Sequence, residues 1–154
     1  MDLEIDLAQP SDSAELTALA HAAKRHWGYP ESWIEAWRDD LTLTPDFIAG
    51  CEAVYGGRRA GAWVGCGVLS REGDRWSIEH MWIHPSAMGL GLGRRLFERL
   101  AETARGRGAM ALEVLSDPNA GGFYRRLGFE PVGEWRTEIL GQPRVLPILR
   151  LGMS

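Results

Sequence analysis

The chain has 154 residues, of which 45% are hydrophobic and 25% are charged, and its formal net charge is −4. This length predicts a single domain, residues 1–154, that buries roughly 70% of the surface its unfolded chain exposes. The composition is that of an ordinary soluble globular protein. The negative charge argues against nucleic acid as a partner, because such binding needs a basic face that displaces counterions.

The first seven residues contain three acids and no long apolar run. This segment predicts neither a signal peptide nor a membrane span, so we expect a cytoplasmic protein that makes no membrane contact. Cys51 and Cys66 are the only cysteines, and neither has a second Cys or a His at the spacing of metal ligands. We therefore expect two buried, reduced thiols and no metal site.

The first third of the chain predicts one strand followed by two helices. Apolar residues alternate with acids over residues 3–7, which is the period-two pattern of a half-buried strand. Ser11 or Ser13, each with an acid nearby, is predicted to cap the first helix. The second helical segment is predicted to begin at Pro30, after a break in the apolar pattern.

The middle of the chain predicts three antiparallel strands, at Glu52–Tyr55, Arg59–Ser70 and Arg75–Ile83. Gly56-Gly57 is predicted to be a tight turn between the first two strands. Residues 71–74, which include a glycine and an aspartate, predict a hairpin turn before the third.

A glycine-rich segment with the sequence MGLGLG, residues 88–93, lies between the third strand and a predicted helix at Arg94–Ala104. Glycine lacks a Cβ atom, so its backbone can adopt positive φ and approach a bulky anion closely. The helix that follows adds unpaired N–H groups and the positive end of its dipole. A P-loop needs Lys and then Ser or Thr after the last glycine, and a dinucleotide fingerprint needs a glycine where Arg94 stands. Both are excluded, and a phosphate-binding turn of another kind is predicted.

The last third predicts a strand at Met110–Leu115, a helix at Asn119–Leu127 and a hairpin formed by Phe129–Thr137 and Arg144–Gly152. A strand-helix-strand unit inserted among antiparallel strands indicates a mixed sheet with helices on both faces. The fold class predicted from the pattern is therefore α/β, in the form of an α+β mixed sheet.

Two segments resemble the GNAT superfamily of N-acetyltransferases. Residues 78–93 combine the strand IEHMWI, a His-Pro turn and the glycine loop, and residues 119–129 read NAGGFYRRLGF. They resemble the family's acetyl-CoA pyrophosphate loop and its pattern of Asn, Phe-Tyr and Leu-Gly-Phe, and the likeness extends over nearly the whole chain. Met88 departs from the pattern, because family members most often have Arg or Gln there. Arg94 and Arg95 can supply the missing positive charge.

The resemblance implies the GNAT fold, with a mostly antiparallel sheet of six to seven strands, about four flanking helices and two central parallel strands that splay apart. It also implies acetyl-CoA as co-substrate, with pantetheine bound along the strand before the loop and a backbone N–H of Trp82 or Ile83 stabilising the oxyanion. The cofactor-binding residues that it implies are Trp82, Ile83, Met88, Gly89, Leu90, Gly91, Leu92, Gly93, Arg94, Asn119 and Tyr124. Asn119 is expected to cap the helix that follows it.

Tyr124 stands where the family commonly has the tyrosine that protonates the departing CoA thiolate. A phenol with a pKa of about 10 keeps its proton at pH 7 and can donate it. The alternative for Tyr124 is a core residue packed beside Phe123.

Glu79 is the candidate general base, on the same face as Met81 and Ile83 if the strand alternates regularly. Its alternative is a surface charge paired with an arginine. His80, on the opposite face, is the reserve base, and His84 is expected to serve the turn.

Trp27 and Tyr29 lie between the first two helices, which line the acceptor side in this family, and are expected to form an aromatic wall for an amine. Trp33 and Trp37, at helical spacing, are expected to be buried. We expect an N-acetyltransferase that acts by direct transfer through a ternary complex on a primary amine of a small molecule or peptide. A non-catalytic acyl-CoA-binding or sensor module is the alternative. The oligomeric state stays open, and the last hairpin is an edge that many relatives use to form homodimers.

Overall fold

The computed structural model describes residues 2–153. Within that range it contains seven strands and five α-helices. In chain order these are β1 (Glu4–Leu7), α1 (Ser13–His26), α2 (Glu31–Ala36), α3 (Pro45–Gly50), β2 (Ala53–Arg59), β3 (Ala62–Glu72), β4 (Arg75–Ile83), α4 (Leu92–Gly106), β5 (Ala111–Leu115), α5 (Gly121–Arg126), β6 (Glu130–Ile139) and β7 (Gln142–Gly152). None of the helices in this range is long and apolar enough to cross a membrane.

All seven strands form one sheet in the order β1-β2-β3-β4-β5-β7-β6. Neighbouring strands are antiparallel except β4 and β5, which are parallel. These two pair only over Trp76–Ile78 and Leu112–Val114, so the remainder of β4 has no strand beside it on that edge. The mixed sheet and the splayed central strands predicted above are confirmed, and the splay opens a gap in the middle of the sheet.

The sheet separates two apolar layers. On one face the periodic apolar stripe of α4, including Phe97 and Leu100, packs with Leu112 and Phe129. On the other face α1, α2 and α3 contribute the buried side chains Leu16, Leu19, Ile34 and Ile48, which pack with Val54 and Val68. Each helix buries one stripe against the sheet, as its 3.6-residue period requires.

The tight turn predicted at Gly56-Gly57 is wrong. Both glycines lie inside β2, and the turn falls at residues 60–61, where both backbones have positive φ. A Cβ atom at Gly56 would lie 2.4 Å from the Trp63 ring, and one at Gly57 would lie 2.5 Å from Leu92. These positions are therefore glycine because neighbouring side chains occupy the space above them.

The predicted cap of the first helix is also wrong. Asp12, not Ser11 or Ser13, is the residue before α1, at the end of a short 3-10 turn. Ser13 instead uses its hydroxyl to donate to the Leu43 carbonyl at 2.6 Å, which ties α1 to the segment after α2. The short helix α3 was not predicted, because its six residues are fewer than two helical turns.

Candidate active site

A cavity of about 620 Å³ lies where β4 and β5 diverge. Its lining comes from the second half of β4, the loop before α4, the end of β5 and the segment through α5. The sequence-predicted residues that it brings together are Trp27, Glu79, Trp82, Ile83, Met88, Gly89, Gly91, Leu92, Gly93, Arg94, Asn119 and Tyr124. Tyr29 and Leu90 are not in the lining. No group of three or more His, Cys, Asp or Glu side chains in residues 2–153 is placed to hold a metal ion.

The glycine loop forms one wall of this cavity. Gly89 and Gly91 have φ values of 79° and 78°, so backbone conformation requires glycine at both positions. Gly91 is the residue before α4, whose first N–H groups have no partner within the helix. At Gly93 the constraint is space, since a Cβ atom there would lie 3.0 Å from Phe123.

The loop is held to the sheet by the first side chain of α4. Leu92 is buried, and its side chain fills the space above two sheet glycines. A Cβ atom at Gly57 in β2 would lie 2.5 Å from the Leu92 side chain, and one at Gly65 in β3 would lie 2.7 Å from it. Helix α4 therefore begins at Leu92, two residues before its predicted start. The sheet glycines and Leu92 together set the position of the glycine turn.

The arginines near the loop have different surroundings. Arg94 lines the cavity and forms an exposed ion pair with Glu98 at 3.4 Å. Arg95 instead donates to the Leu3 carbonyl at 3.1 Å and does not line the cavity. Arg126, at the end of α5, also lines it and was not among the predicted site residues. Two arginines thus line the cavity, and only Arg94 was among the predicted site residues.

Strand β4 contains a bulge at Glu79. Val68 of β3 pairs with His80, and the next residue, Leu69, pairs with Ile78. Glu79 is therefore an extra residue without a partner in β3, and such a bulge changes the faces to which the flanking side chains point.

The bulge makes the predicted regular alternation of β4 wrong. Ile78 and Met81, which regular alternation would place on opposite faces, both pack against the α4 side of the sheet. Glu79 therefore does not share a face of the sheet with Met81 and Ile83. Its carboxylate accepts a hydrogen bond from the Ser70 hydroxyl. The carboxylate stays exposed while lining the cavity, so it has access to an acceptor.

His80 lines the cavity as well, but its ring nitrogens are constrained. The indole N–H of Trp82 donates to His80 Nδ1 at 2.9 Å. Burial lowers the pKa of His80, so the ring is neutral at pH 7. With Nδ1 accepting, the neutral ring carries its proton on Nε2 and has no free lone pair to act as a base. His84 meets its expected role in the turn, because Nδ1 accepts from the Ser86 N–H at 3.1 Å.

Tyr124 is packed in the core and also lines the cavity. Its ring is 4% exposed and makes edge-to-face contacts with Phe123 and Phe129, with ring centroids 5.0 and 5.4 Å away. Burial raises the pKa of the phenol above its usual value, so Tyr124 is fully protonated at neutral pH.

A second group of residues, which we call the polar cluster, consists of Lys24, Tyr29, Asp117, Asn119 and Arg144. Lys24 Nζ lies 2.6 Å from Asp117 Oδ2, and the Tyr29 hydroxyl lies 3.0 Å from both carboxylate oxygens. Asn119 donates to Asp117 Oδ1 from its backbone N–H at 2.8 Å and from Nδ2 at 2.9 Å. Arg144 Nη2 and Asn119 Nδ2 each donate to the Tyr29 hydroxyl at 3.0 Å. The cluster therefore links three parts of the chain: helix α1, the segment that follows β5, and strand β7.

Aromatic rings surround the two cations of the cluster. Tyr29, Trp33 and Trp37 pack on one another with ring centroids 5.1–5.8 Å apart. Lys24 Nζ lies 4.4 Å from the Trp37 centroid, and the Arg144 guanidinium carbon lies 4.9 Å from it. The rings of Tyr29 and Trp37 therefore contact the protein's own cations. Tyr29 was predicted to form a wall of the acceptor site, but it does not line the cavity.

Protonation in the cluster follows its burial and its partners. Burial alone would raise the pKa of Asp117, but the hydrogen bond and charge of Lys24, with the bonds from Asn119 and Tyr29, outweigh it and lower that pKa. Burial lowers the pKa of Lys24. Burial and the adjacent Asp117 raise the pKa of Tyr29 to about 12. Asp117 is thus a carboxylate and Tyr29 a phenol at neutral pH.

Three members of this cluster, Lys24, Asp117 and Arg144, were not predicted from the sequence. Asp117, not Asn119, caps the turn that follows β5, so the predicted cap at Asn119 is wrong. The Asp-Pro pair at residues 117–118 is a recognisable turn-initiating signal that pointed to it. Lys24 and Arg144 are 120 residues apart and carry no local signal, because only the folded sheet brings them together.

Comparison with known proteins gives a consistent result. The model of the Acetyltransferase (GNAT) family matches residues 14–129. The chain is 36% identical over 81 residues to the IAA acetyltransferase of Azospirillum brasilense, covering 49% of this chain and 53% of that protein. It is 37% identical over 83 residues to the N-alpha-acetyltransferase RimI of Mycobacterium tuberculosis, covering 51% and 52%. The chain thus spans about half the length of these relatives.

Solved structures show the same fold over the full chain. A GCN5-related N-acetyltransferase from Rhodopseudomonas palustris superposes with a TM-score of 0.83 at 23% identity, covering 99% of this chain and 97% of that one. The PaiA N-acetyltransferase from Thermoplasma acidophilum, in complex with coenzyme A, superposes with a TM-score of 0.81 at 16% identity, covering 99% and 100%.

Proposed function

Because the chain belongs to the GNAT family of acetyltransferases, we propose that it is an N-acetyltransferase that moves the acetyl group of acetyl-CoA to a primary amine of a small molecule or peptide. The observation that carries the proposal is that one cavity is lined by the glycine loop, the unpaired edge of β4 and Tyr124. The relatives named above are acetyltransferases, and one of the superposed structures contains coenzyme A.

In this proposal the loop residues 88–93 bind the pyrophosphate through backbone N–H groups, helped by the N-terminus of α4. Arg94 and Arg126 add positive charge beside it. The pantetheine amides bond to the free edge of β4 at Ile83, as an added strand would. The backbone N–H of Trp82 faces β3 instead, because the His84 N–H two residues on donates to the Val64 carbonyl of β3. One N–H of that edge stabilises the oxyanion, and Asn119 lies along the same arm of the cofactor.

Transfer then proceeds directly from thioester to amine. The amine nitrogen attacks the acetyl carbon, forming the C–N bond, and the C–S bond breaks as the tetrahedral intermediate collapses. Glu79 takes the amine proton through a water, since His80 has no free lone pair. Tyr124 gives its proton to the departing sulfur. Burial raises the pKa of the phenol, which keeps Tyr124 protonated until the thiolate leaves.

We also place the enzyme in the cytoplasm, where the two free cysteines would stay reduced. For the oligomer we propose a homodimer through β6, an edge strand that is exposed along nearly its whole length. Glu134 pairs with Pro147, whose carbonyl accepts from Ser116 on the β5 side. In antiparallel pairing the backbone polar groups of Glu134, and of Arg136 two residues on, then point away from β7.

If the β6 strands of two copies paired antiparallel and symmetrically about Trp135, Glu134 of each copy would face Arg136 of the other. The interface would then contain this opposite-charge pair twice. Opposite charges facing each other across strands stabilise a pair. Trp135 is 49% exposed and would be covered at the centre of that interface.

The alternative is a non-catalytic acyl-CoA-binding module. Met88 favours it, because Met stands where family members most often have Arg or Gln, and the position of Tyr124 in the cavity opposes it. The two differ in whether free thiol accumulates when acetyl-CoA and an amine are supplied together.

The test begins with isothermal titration of acetyl-CoA into the wild type and a variant carrying Gly91→Val and Gly93→Val. The first change is incompatible with a φ of 78°, and the second adds a Cβ atom 3.0 Å from Phe123. Gly106→Val at the other end of α4 is the matched control, because a Cβ atom there meets nothing within 4 Å. We expect micromolar binding by the wild type and the control only. Thiol release with a panel of amines then separates an enzyme from a binding module.

A further inference from the structure

The polar cluster carries one more positive charge than negative. Lys24 and Arg144 face the single carboxylate of Asp117, and these side chains are 11%, 11% and 14% exposed. Asp117 already accepts hydrogen bonds from Lys24, Tyr29 and Asn119, which occupy its oxygens. Arg144 comes no closer to it than 3.9 Å. One positive charge is therefore left without a full partner at a place that water screens poorly.

Arg144 also has hydrogen-bond donors to spare. Its Nη2 donates to the Tyr29 hydroxyl, whereas Nε and Nη1 have no hydrogen-bond partner among residues 2–153. No side-chain nitrogen or oxygen in that range is both fully buried and unpartnered, so these donors keep contact with solvent. The guanidinium is held against the rings of Tyr29 and Trp37, at 5.1 and 4.9 Å. A fixed guanidinium with free donors suits bidentate binding of a carboxylate.

The cluster lies directly behind the cavity wall. Asp117 and Asn119 belong to both the cluster and the lining. Asn119 Nδ2 and Arg144 Nη2 donate to the same oxygen of Tyr29, each at 3.0 Å, so the guanidinium is one side chain away from the lining. Trp27, which follows α1, also lines the cavity.

The excess positive charge of the cluster, which lies behind the lining residues Asp117 and Asn119, selects among amines. A diamine or polyamine would bring a second ammonium towards a cluster that is already positive and whose Tyr29 and Trp37 rings already contact cations. A phosphate would bring about two negative charges against one unpaired positive charge. A single carboxylate offsets the excess charge one for one.

We propose that the acceptor is a free amino acid, an amine that also bears a carboxylate, and that Arg144 binds this carboxylate. The role of the amine rests on the proposed function. The binding of the carboxylate rests on the cluster alone.

The test is isothermal titration of each of the twenty common amino acids and of their C-terminal amides, in the presence of saturating CoA and at fixed ionic strength. The wild type is compared with Arg144→Gln and with Arg150→Gln, an exposed arginine on the same strand. Thermal unfolding checks that both variants are folded. We expect at least one amino acid to bind roughly tenfold or more tightly than its amide, a difference that disappears in Arg144→Gln and persists in Arg150→Gln.

The inference is overturned if no amino acid binds more tightly than its amide, or if the preference survives in Arg144→Gln. Thiol release from acetyl-CoA is measured separately on the same compounds. Release with amides and diamines but without a carboxylate preference would leave the acetyltransferase standing and remove this inference. Carboxylate-dependent binding without any thiol release would support the Arg144 site and count against the acetyltransferase.

Discussion

The two sides of the cavity are built from different parts of the polypeptide. The proposed cofactor side is made mainly of backbone: residues 88–93, two of them at positive φ and the last two in the first turn of α4, together with the free edge of β4. The α1 side is backed by side chains, the polar cluster, of which Asp117 and Asn119 reach the lining. The cluster is drawn from α1, the loop after it, the segment after β5, and strand β7. A backbone site is contiguous and can be recognised in one sequence, whereas a side-chain site exists only once the chain has folded.

This contrast has an energetic counterpart. Backbone N–H groups at a helix start are unpaired whether or not a ligand is present, so they bind without rearranging the protein. The charges of the cluster depend on one another, and removing one leaves the others uncompensated. We therefore expect loop changes to affect ligand binding and cluster changes to affect stability first.

The largest effect is expected for Asp117→Ala. The change leaves Lys24 and Arg144, each 11% exposed at the side chain, without their shared carboxylate, and we expect a loss of about 3 kcal/mol in the free energy of unfolding. Urea denaturation measures it, with Glu102→Ala on the exposed face of α4 as the control. A loss below about 1 kcal/mol would show that the cluster does not depend on its carboxylate.

The acid limb of the stability curve sharpens the same point. The pKa of Asp117 is lower in the folded state than in the unfolded state, where it is about 3.9. Its contribution is thus complete above about pH 4 and is lost as pH falls through the lower, folded value. In Asp117→Asn this part of the acid dependence should vanish, and an unchanged acid limb in urea titrations would contradict the assignment.

On the cofactor side, Tyr124→Phe should lower kcat by roughly 100-fold, about 2.7 kcal/mol in transition-state stabilisation, because the sulfur leaves without its proton donor. The dissociation constant for acetyl-CoA should not change, since the ring and its contacts with Phe123 and Phe129 remain. Steady-state kinetics and titration measure the two quantities. Unchanged kcat would return Tyr124 to a purely structural role.

At the edge strand, Glu134→Arg should weaken self-association roughly tenfold, because each like-charge pair across the proposed interface occurs twice. Combining it with Arg136→Glu restores opposite charges and should restore the dimer, whereas Glu138→Arg, outside the central pairs, serves as the comparison. Sedimentation equilibrium gives the constants. A wild type that stays monomeric at high concentration would dismiss the interface.

The smallest effect is expected for Met88→Arg. Adding a positive charge at this position should tighten acetyl-CoA binding about threefold at low salt. The gain should fade as salt increases, because the loop is partly exposed and its charges are screened. Equal affinity at all salt concentrations would mean that the backbone alone determines pyrophosphate binding.

Most of the fold was predictable because its determinants are local. The apolar stripe of α4, the strand before the loop and the final hairpin follow directly from periodicity. The errors came from contacts between distant residues: Gly56 and Gly57 suggest a turn, and only the positions of Trp63 and Leu92 explain them as strand residues. The bulge at Glu79 likewise depends on the register against β3, which periodicity alone does not give.

The site divides in the same way. The loop could be located from glycine spacing and from the family resemblance, because its chemistry lies in consecutive residues. Arg144 and Lys24 could not, since charged residues in a helix and a strand predict solvent exposure unless a buried partner is known. Tyr29 was noticed for its ring, but the structure shows that its hydroxyl joins the polar cluster.

Leu92 limits what can be transplanted by protein engineering. Its side chain occupies the space left by Gly57 and Gly65, so the glycine turn is positioned by residues that lie 35 and 27 places before Leu92 in the chain. Grafting residues 88–93 onto another scaffold would move the turn without the recess that holds it. The smallest portable unit is therefore the turn together with the two sheet glycines, and a recipient with side chains at those positions would displace the turn.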